Sequence, residues 1–182
     1  MTVTKSRVKE ELPATWIRAW FLISSIVVCW DFGYCLLRPY SMEGGSLNFL
    51  WKPYNLYGKI DHFYGAPAYL ANDGFTGAQA TLNVIETIMN FAYLGLLKNA
   101  NVSVGQANLL GFAAAVMTTS KTILYWLVEA FSGMAHTGHN SVKDMIFLWV
   151  IPNGLWIVVP GAIVYCLAKD IATRLSSNIK AD

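Results

Sequence analysis

The chain has 182 residues, 55% hydrophobic and only 13% charged, with a net charge of +2 at pH 7. That charged share is about half of the roughly 25% found in soluble domains, so a water-soluble fold of this size could not hide so much apolar surface. The near-balanced charge excludes a nucleic-acid footprint. Three cysteines, Cys29, Cys35 and Cys166, all within apolar segments, give neither a disulfide framework nor a zinc site.

The expected fold is all-α: an integral membrane bundle of four transmembrane helices, with a structured lumenal connection between the first two. Residues 1–12, with Lys5, Arg7 and Lys9, read as a cytosolic tail, followed by a four-helix domain over 13–170. The first apolar run, about 15–37, exceeds a signal-peptide core of roughly 7–15 residues and lacks a small-residue cleavage site, so it reads as a retained span. It carries Trp30, Asp31, Tyr34 and Cys35.

The long connection, about 38–74, holds Gly44-Gly45 and the stretch FLWKPYNLYGKIDHFYGAPAYL. Its Trp51, Tyr54, Tyr57, Phe63, Tyr64 and Tyr69 suit a headgroup interface. The second span, about 75–97, places Gln79, Asn83, Glu86 and Asn90 at spacings of four, three and four, which is one helix face. The third, about 105–131, carries a stripe of Thr118, Lys121, Thr122, Tyr125 and Glu129, the last near a solvated end. His136 and His139 follow in a loop, without a third metal ligand. The fourth, about 145–168, puts Trp149, Asn153, Trp156 and Pro160 on one face, and Pro152 and Pro160 predict a kink. Residues 171–182 read as a second cytosolic tail.

Basic residues set the orientation. Lys5, Arg7, Lys9, Arg18, Lys98, Lys169, Arg174 and Lys180 outnumber Arg38, Lys52, Lys59 and Lys143, which places both termini in the cytosol. At ~1.5 Å rise per residue, Asp31 lies ~9 Å from the lumenal edge, Glu86 ~16 Å, Lys121 ~15 Å, Asn153 ~12 Å and Trp156 ~17 Å. Four helices therefore deliver polar groups to one slab. Charges at that depth cost several kcal/mol unless paired or functional, so Asp31 and Glu86 are the candidate catalytic residues. Asn153, Trp156, Tyr125, Asn83, Asn90, Lys121 and Tyr34 are the candidate substrate-binding residues. Pairing of Asp31 with Lys121 is one expectation. Interhelical glue is the alternative for the amides.

Several stretches carry a family resemblance: LYWLVEAFSGMAHTGH at 124–139, IFLWVIPNGLWIVVPGAIV at 146–164, LWKPY at 50–54 and Ile85-Glu86-Thr87. In these the chain resembles the emopamil-binding protein family, the EXPERA domain of sterol isomerases and the sigma-two receptor, over roughly residues 20–170. The resemblance implies a four-span domain of the endoplasmic reticulum membrane and a shift of a sterol ring double bond. The family's two intramembrane acids map to Asp31 and Glu86, and its pocket Asn and Trp to Asn153 and Trp156. The chain departs from the sterol isomerase at Val27 (there His), Met89 (there Thr), Lys121 (there Asp) and Asp31 (there Glu). Those departures open a terpenoid isomerase or cyclase as an alternative, and the likeness to the sigma-two receptor leaves a non-catalytic sterol or lipid binder as another.

Double-bond migration needs an acid at one alkene carbon and a base at a nearby one. In this reading Glu86 is the acid, Asp31 beside Lys121 is the ionised partner, and Trp156 and Tyr125 face a carbocation. No cofactor is required. The expected partners are a sterol- or terpenoid-like apolar substrate and membrane lipids, with a homodimer left open.

Overall fold

The structure, a computed structural model, describes residues 11–179. No β-strand occurs among the described residues. The long helices are α1 (Thr15–Leu36), α4 (Phe75–Lys98), α5 (Val104–Phe131) and a final rod. The rod opens with a short turn, α6 (Val142–Asp144), passes through a π-helical stretch at Met145–Val150, and continues as α7 (Ile151–Ile179). The long connection folds into a 3-10 turn at Asn48–Leu50 and two short helices, α2 (Pro53–Ile60) and α3 (Ala66–Leu70).

Three of these rods are long and apolar enough to cross a membrane: Thr15–Leu36, Phe75–Lys98 and Val142–Ser177. Helix α5 has 28 residues, which gives a length of ~42 Å. Its run of Thr118, Thr119, Ser120, Lys121 and Thr122 interrupts the apolar sequence midway. It packs between α4 and α7, while α1 packs on α4. Helices α1 and α7 meet through large side chains, with the Trp20 and Trp156 rings 5.3 Å apart.

Local chemistry sets the element ends. Ser103 caps α5: its Oγ accepts from the Gln106 N–H at 3.2 Å, and Gln106 Oε1 accepts from the Ser103 N–H at 3.0 Å. The helix stops where Gly133 and Met134 take φ of 69° and 61°, and the Met134 N–H closes the end on the Glu129 carbonyl at 2.9 Å. The π-helical stretch precedes Pro152, whose ring lacks an N–H and crowds the preceding turn. Asn153 Nδ2 donates to the Trp149 carbonyl at 2.8 Å, which supplies that widened turn with a side-chain donor.

One expectation about extent changes. The last rod does not end near 168–170 but runs to Ile179. No Gly or Pro follows Gly161, and Arg174 Nε bonds Asp170 Oδ2 at 2.6 Å, an i,i+4 pair that supports the added turns. The N-terminal tail lies outside the described residues except for 11–12. The connection's aromatic residues also turn inward: Trp51, Tyr54 and Phe63 are buried. Trp51 Nε1 donates to the Trp30 carbonyl at 2.7 Å and Trp30 Nε1 to the Leu50 carbonyl at 3.0 Å. That reciprocal tie holds the connection against α1. Tyr34 and Tyr54 stack at 4.2 Å.

At the end of the bundle that carries the chain termini, the core comprises Ile17, Phe21, Tyr93, Leu97, Ala107, Ala114, Ile163 and Leu167. Small residues on α5 let the neighbouring helices approach. A Cβ on Gly111 would come within 2.9 Å of Tyr93 Cε2, so that position excludes a side chain unless the ring moves. The Tyr93 ring meets the Phe21 ring edge-on at 4.6 Å. This plug closes the terminal end, and the connection covers the other.

Candidate functional site

Between plug and connection lies a cavity of about 350 Å³, within the range of about 300–1,000 Å³ typical of small-molecule sites. The polar stripe of α4 forms one wall, α5 the next, and Trp156 and Asn153 of α7 a third. Asp31 enters from α1, and Tyr54, Tyr57 and Tyr64 descend from the connection. Of the residues singled out in sequence, Asp31, Glu86, Asn153, Trp156, Tyr125, Asn83, Asn90 and Lys121 all line this space.

Tyr34 does not. Its hydroxyl donates to the Tyr64 carbonyl at 2.8 Å, and its ring backs Tyr54. It supports the wall from behind, because its turn of α1 faces the connection. Trp149 is likewise packing: it is buried, and its Nε1 donates to Asp61 Oδ2 at 2.9 Å.

The acids are joined by a continuous polar chain. Asn83 Nδ2 donates to Asp31 Oδ2 at 3.3 Å. Lys121 Nζ donates to Asn83 Oδ1. Lys121 Nζ also stands 3.1 Å from each Glu86 carboxylate oxygen. Its hydrogen-bond geometry serves Oε2 alone and leaves Oε1 without a donor. Thr118 Oγ1 donates to Oε2 at 2.8 Å. Asp31 receives the Tyr54 hydroxyl on Oδ1 at 2.7 Å, with the Tyr64 hydroxyl at 3.5 Å from Oδ2.

This corrects the expected pairing. The lysine salt-bridges Glu86 and reaches Asp31 only through Asn83. The physical reason is register: Thr118 and Lys121 sit three residues apart on α5, which is one face, and that face abuts α4 where Glu86 projects. Asp31 comes from α1, on the far side of α4 from α5.

Glu129 is also corrected. It is not solvated at a helix end but is 1% exposed. Its Oε1 accepts from the backbone N–H groups of His136 at 2.9 Å and Thr137 at 3.0 Å, and from Thr137 Oγ1 at 3.1 Å. Its Oε2 meets His136 Nδ1 at 3.0 Å. Glu129 organises the 132–140 loop and stays outside the cavity.

Sequence reasoning missed several contributors. Tyr54 and Tyr64, read as interfacial aromatics, instead bond Asp31; Tyr54 opens the Pro-initiated helix α2 and Tyr64 follows its end. Burial raises the Tyr54 hydroxyl well above its ordinary range, and the nearby Asp31 charge adds to this. Burial does the same for Tyr64. Asp61, fully buried in the connection, is pushed up to about 7 by burial, against the opposing bonds from Trp149 and the Phe63 N–H. Thr118 was visible in the α5 stripe, but its partner was not.

No family model, curated protein or solved structure matches this chain.

Proposed function

We propose that the protein is an intramembrane isomerase of the emopamil-binding type, moving a double bond in a sterol or sterol-like lipid. It would be a multi-pass protein of the endoplasmic reticulum membrane, with α5 as a fourth span and both termini cytosolic. The observation that carries this reading is that Asp31 and Glu86, from different helices, line one cavity and are linked through Asn83 and Lys121. The four residues matched by resemblance, Asp31, Glu86, Asn153 and Trp156, all face that space.

Charge balance assigns the roles. The cavity holds two carboxyl groups and one ammonium, so a neutral pocket carries one proton on the carboxyl pair. Glu86 already has Lys121 as counter-ion and serves as the base, which reverses the roles expected when Lys121 was placed beside Asp31. Asp31 has hydroxyl and amide neighbours but no cation in contact, and serves as the acid. Asp31 transfers its proton to one alkene carbon, and the π electrons form the new C–H bond. The adjacent carbon becomes a carbocation, faced by the Trp156 ring. Glu86 then removes a proton from a neighbouring carbon, and that C–H pair becomes the displaced double bond. One proton enters and one leaves, so the step is redox-neutral.

A proton-initiated terpenoid isomerisation or cyclisation uses the same equipment. Val27 and Met89, apolar where the resembled isomerase has His and Thr, favour it as the second reading. The test is incubation of the purified protein with a sterol bearing a ring double bond at position eight, in D₂O, with products read by mass spectrometry. The isomerase reading expects an isomer of unchanged skeleton with one deuterium at a ring carbon. A product with an added ring from a polyprenyl substrate selects the second. No conversion of either class overturns both and leaves the non-catalytic binder.

A further inference from the structure

Of the buried side-chain atoms without a hydrogen-bond partner among the described residues, four belong to the α4 face of the cavity: Gln79 Oε1, Glu86 Oε1, Thr87 Oγ1 and Asn90 Oδ1. Two of them, on Thr87 and Asn90, lie three residues apart on α4, one and four residues inward from Glu86 and next to the Phe21–Tyr93 plug. Both residues are almost fully enclosed, with Thr87 5% and Asn90 8% exposed. A buried polar atom without a partner costs roughly 1–3 kcal/mol, so a native site keeps one where something else arrives to bond it.

The orientation of Asn90 follows from its neighbours. Ser25 Oγ donates to the Phe21 carbonyl at 2.6 Å, so its only proton is spent. Ser25 then meets Asn90 as an acceptor, and Asn90 must turn its Nδ2 to it, at 3.2 Å. The Asn90 carbonyl oxygen is left as a pure acceptor without a partner, on a residue that lines the cavity. Thr87 supplies a hydroxyl that has not turned back to its own helix, unlike Thr119 and Thr122 on α5, which bond the carbonyl four residues earlier.

We propose that this inner corner is a subsite for an alcohol on the ligand, with Asn90 Oδ1 accepting the ligand O–H and Thr87 Oγ1 donating to the ligand oxygen. A hydroxyl both donates and accepts, so it satisfies both atoms. A ketone or ether has no proton for Asn90, and a hydrocarbon satisfies neither. The proposal rests on the reading of the cavity as a lipid-substrate site and adds the direction of entry. The hydroxyl end lies innermost against the plug. The reacting double bond lies at the level of Glu86, nearer the connection than Thr87 by about 1.5 Å of helix rise and than Asn90 by about 6 Å. The apolar remainder extends towards Tyr54, Tyr57 and Tyr64.

The test is binding to the full-length protein in lipid nanodiscs, read by quenching of its tryptophan fluorescence. The probes are two matched pairs: a saturated 3-hydroxysterol with its methyl ether, and geranylgeraniol with its methyl ether. Wild type is expected to bind the alcohol of one pair about tenfold more tightly than the ether, the worth of a buried hydrogen bond, and the pair that discriminates identifies the skeleton. Thr87→Val, nearly isosteric and leaving the Ser25 contact intact, should lose most of that preference. Asn90→Leu should lose it as well. Equal binding of alcohol and ether by wild type means the corner holds only water and overturns the subsite, while the lipid-site reading survives. Discrimination that persists in both variants also overturns it. Discrimination without turnover of the sterol bearing a ring double bond at position eight, or of geranylgeraniol, sinks the isomerase and keeps the subsite. Binding of no probe overturns both.

Discussion

Two polar networks join α4 to α5, one at the terminal end and one along the cavity, and they are built to opposite rules. At the terminal end the Tyr93 hydroxyl donates to Asn108 Oδ1 at 3.2 Å, Asn108 Nδ2 to Asp170 Oδ2 at 2.7 Å, and Arg174 Nε to the same oxygen at 2.6 Å. None of these side chains has a buried atom left without a partner. In the cavity, Gln79, Glu86, Thr87 and Asn90 each leave one unsatisfied. Both networks tie α4 to α5, yet only one encloses space. A closed network costs nothing further and specifies the packing; an open one carries an energetic deficit that a ligand can relieve.

Predictions follow from trying to erase that difference. The largest effect belongs to Lys121→Met, which strands the Glu86 carboxylate in the cavity. Thermal or denaturant unfolding in detergent should show a loss of about 3–5 kcal/mol, and the double substitution Glu86→Gln with Lys121→Met should recover more than half of it. A single variant as stable as wild type would mean that the pair is solvated and the cavity network is not a buried one. At the other end, Asn108→Ala removes the link between Tyr93 and Asp170. It should cost about 1–3 kcal/mol in the same assay while leaving probe affinity in the cavity unchanged. A drop in affinity there would show that the two ends are coupled.

A pH dependence separates the covering connection from both networks. Asp61 titrates near 7 in the folded protein against an ordinary value of 3.8. Between about pH 4 and 7 the folded state therefore holds a proton that the unfolded state has released. Stability falls as pH rises through that window, by up to about 1.4 kcal/mol per pH unit, and is flat on this account above it. Asp61→Asn should flatten that slope, measured as unfolding midpoint against pH. The smallest effect is at the α5 start: Ser103→Ala removes a capping box far from the cavity and should cost about 1 kcal/mol, with no change in ligand binding.

Periodicity exposed the frame of this molecule. The positions of α1, α4 and α5 follow from their apolar runs, and the α4 amide stripe read as one face proves to be one wall of the cavity. Pairing across helices was less legible. Periodicity places Lys121 and Glu86 on faces, but which acid meets the lysine depends on the order α1–α4–α5 around the bundle, a tertiary fact with no local signal. Tyr54 and Tyr64 misled for a related reason. An aromatic-rich connection reads equally well as a headgroup belt or as a lid, and only the Trp30–Trp51 exchange of bonds with α1 folds it inward. Glu129 looked exposed because it stands near a helix end, whereas the loop that wraps it depends on left-handed Gly133 and Met134.

The central claim is that Asp31 and Glu86 act together on one ligand. Paired measurement of probe binding and product formation in Asp31→Asn and Glu86→Gln tests it most directly. Both variants should bind the discriminating alcohol to within about threefold of wild type, and both should lose turnover by at least about 10³-fold, since each removes one of the two proton transfers. Either variant turning over at near wild-type rate would show that one carboxylate suffices, and would contradict the account.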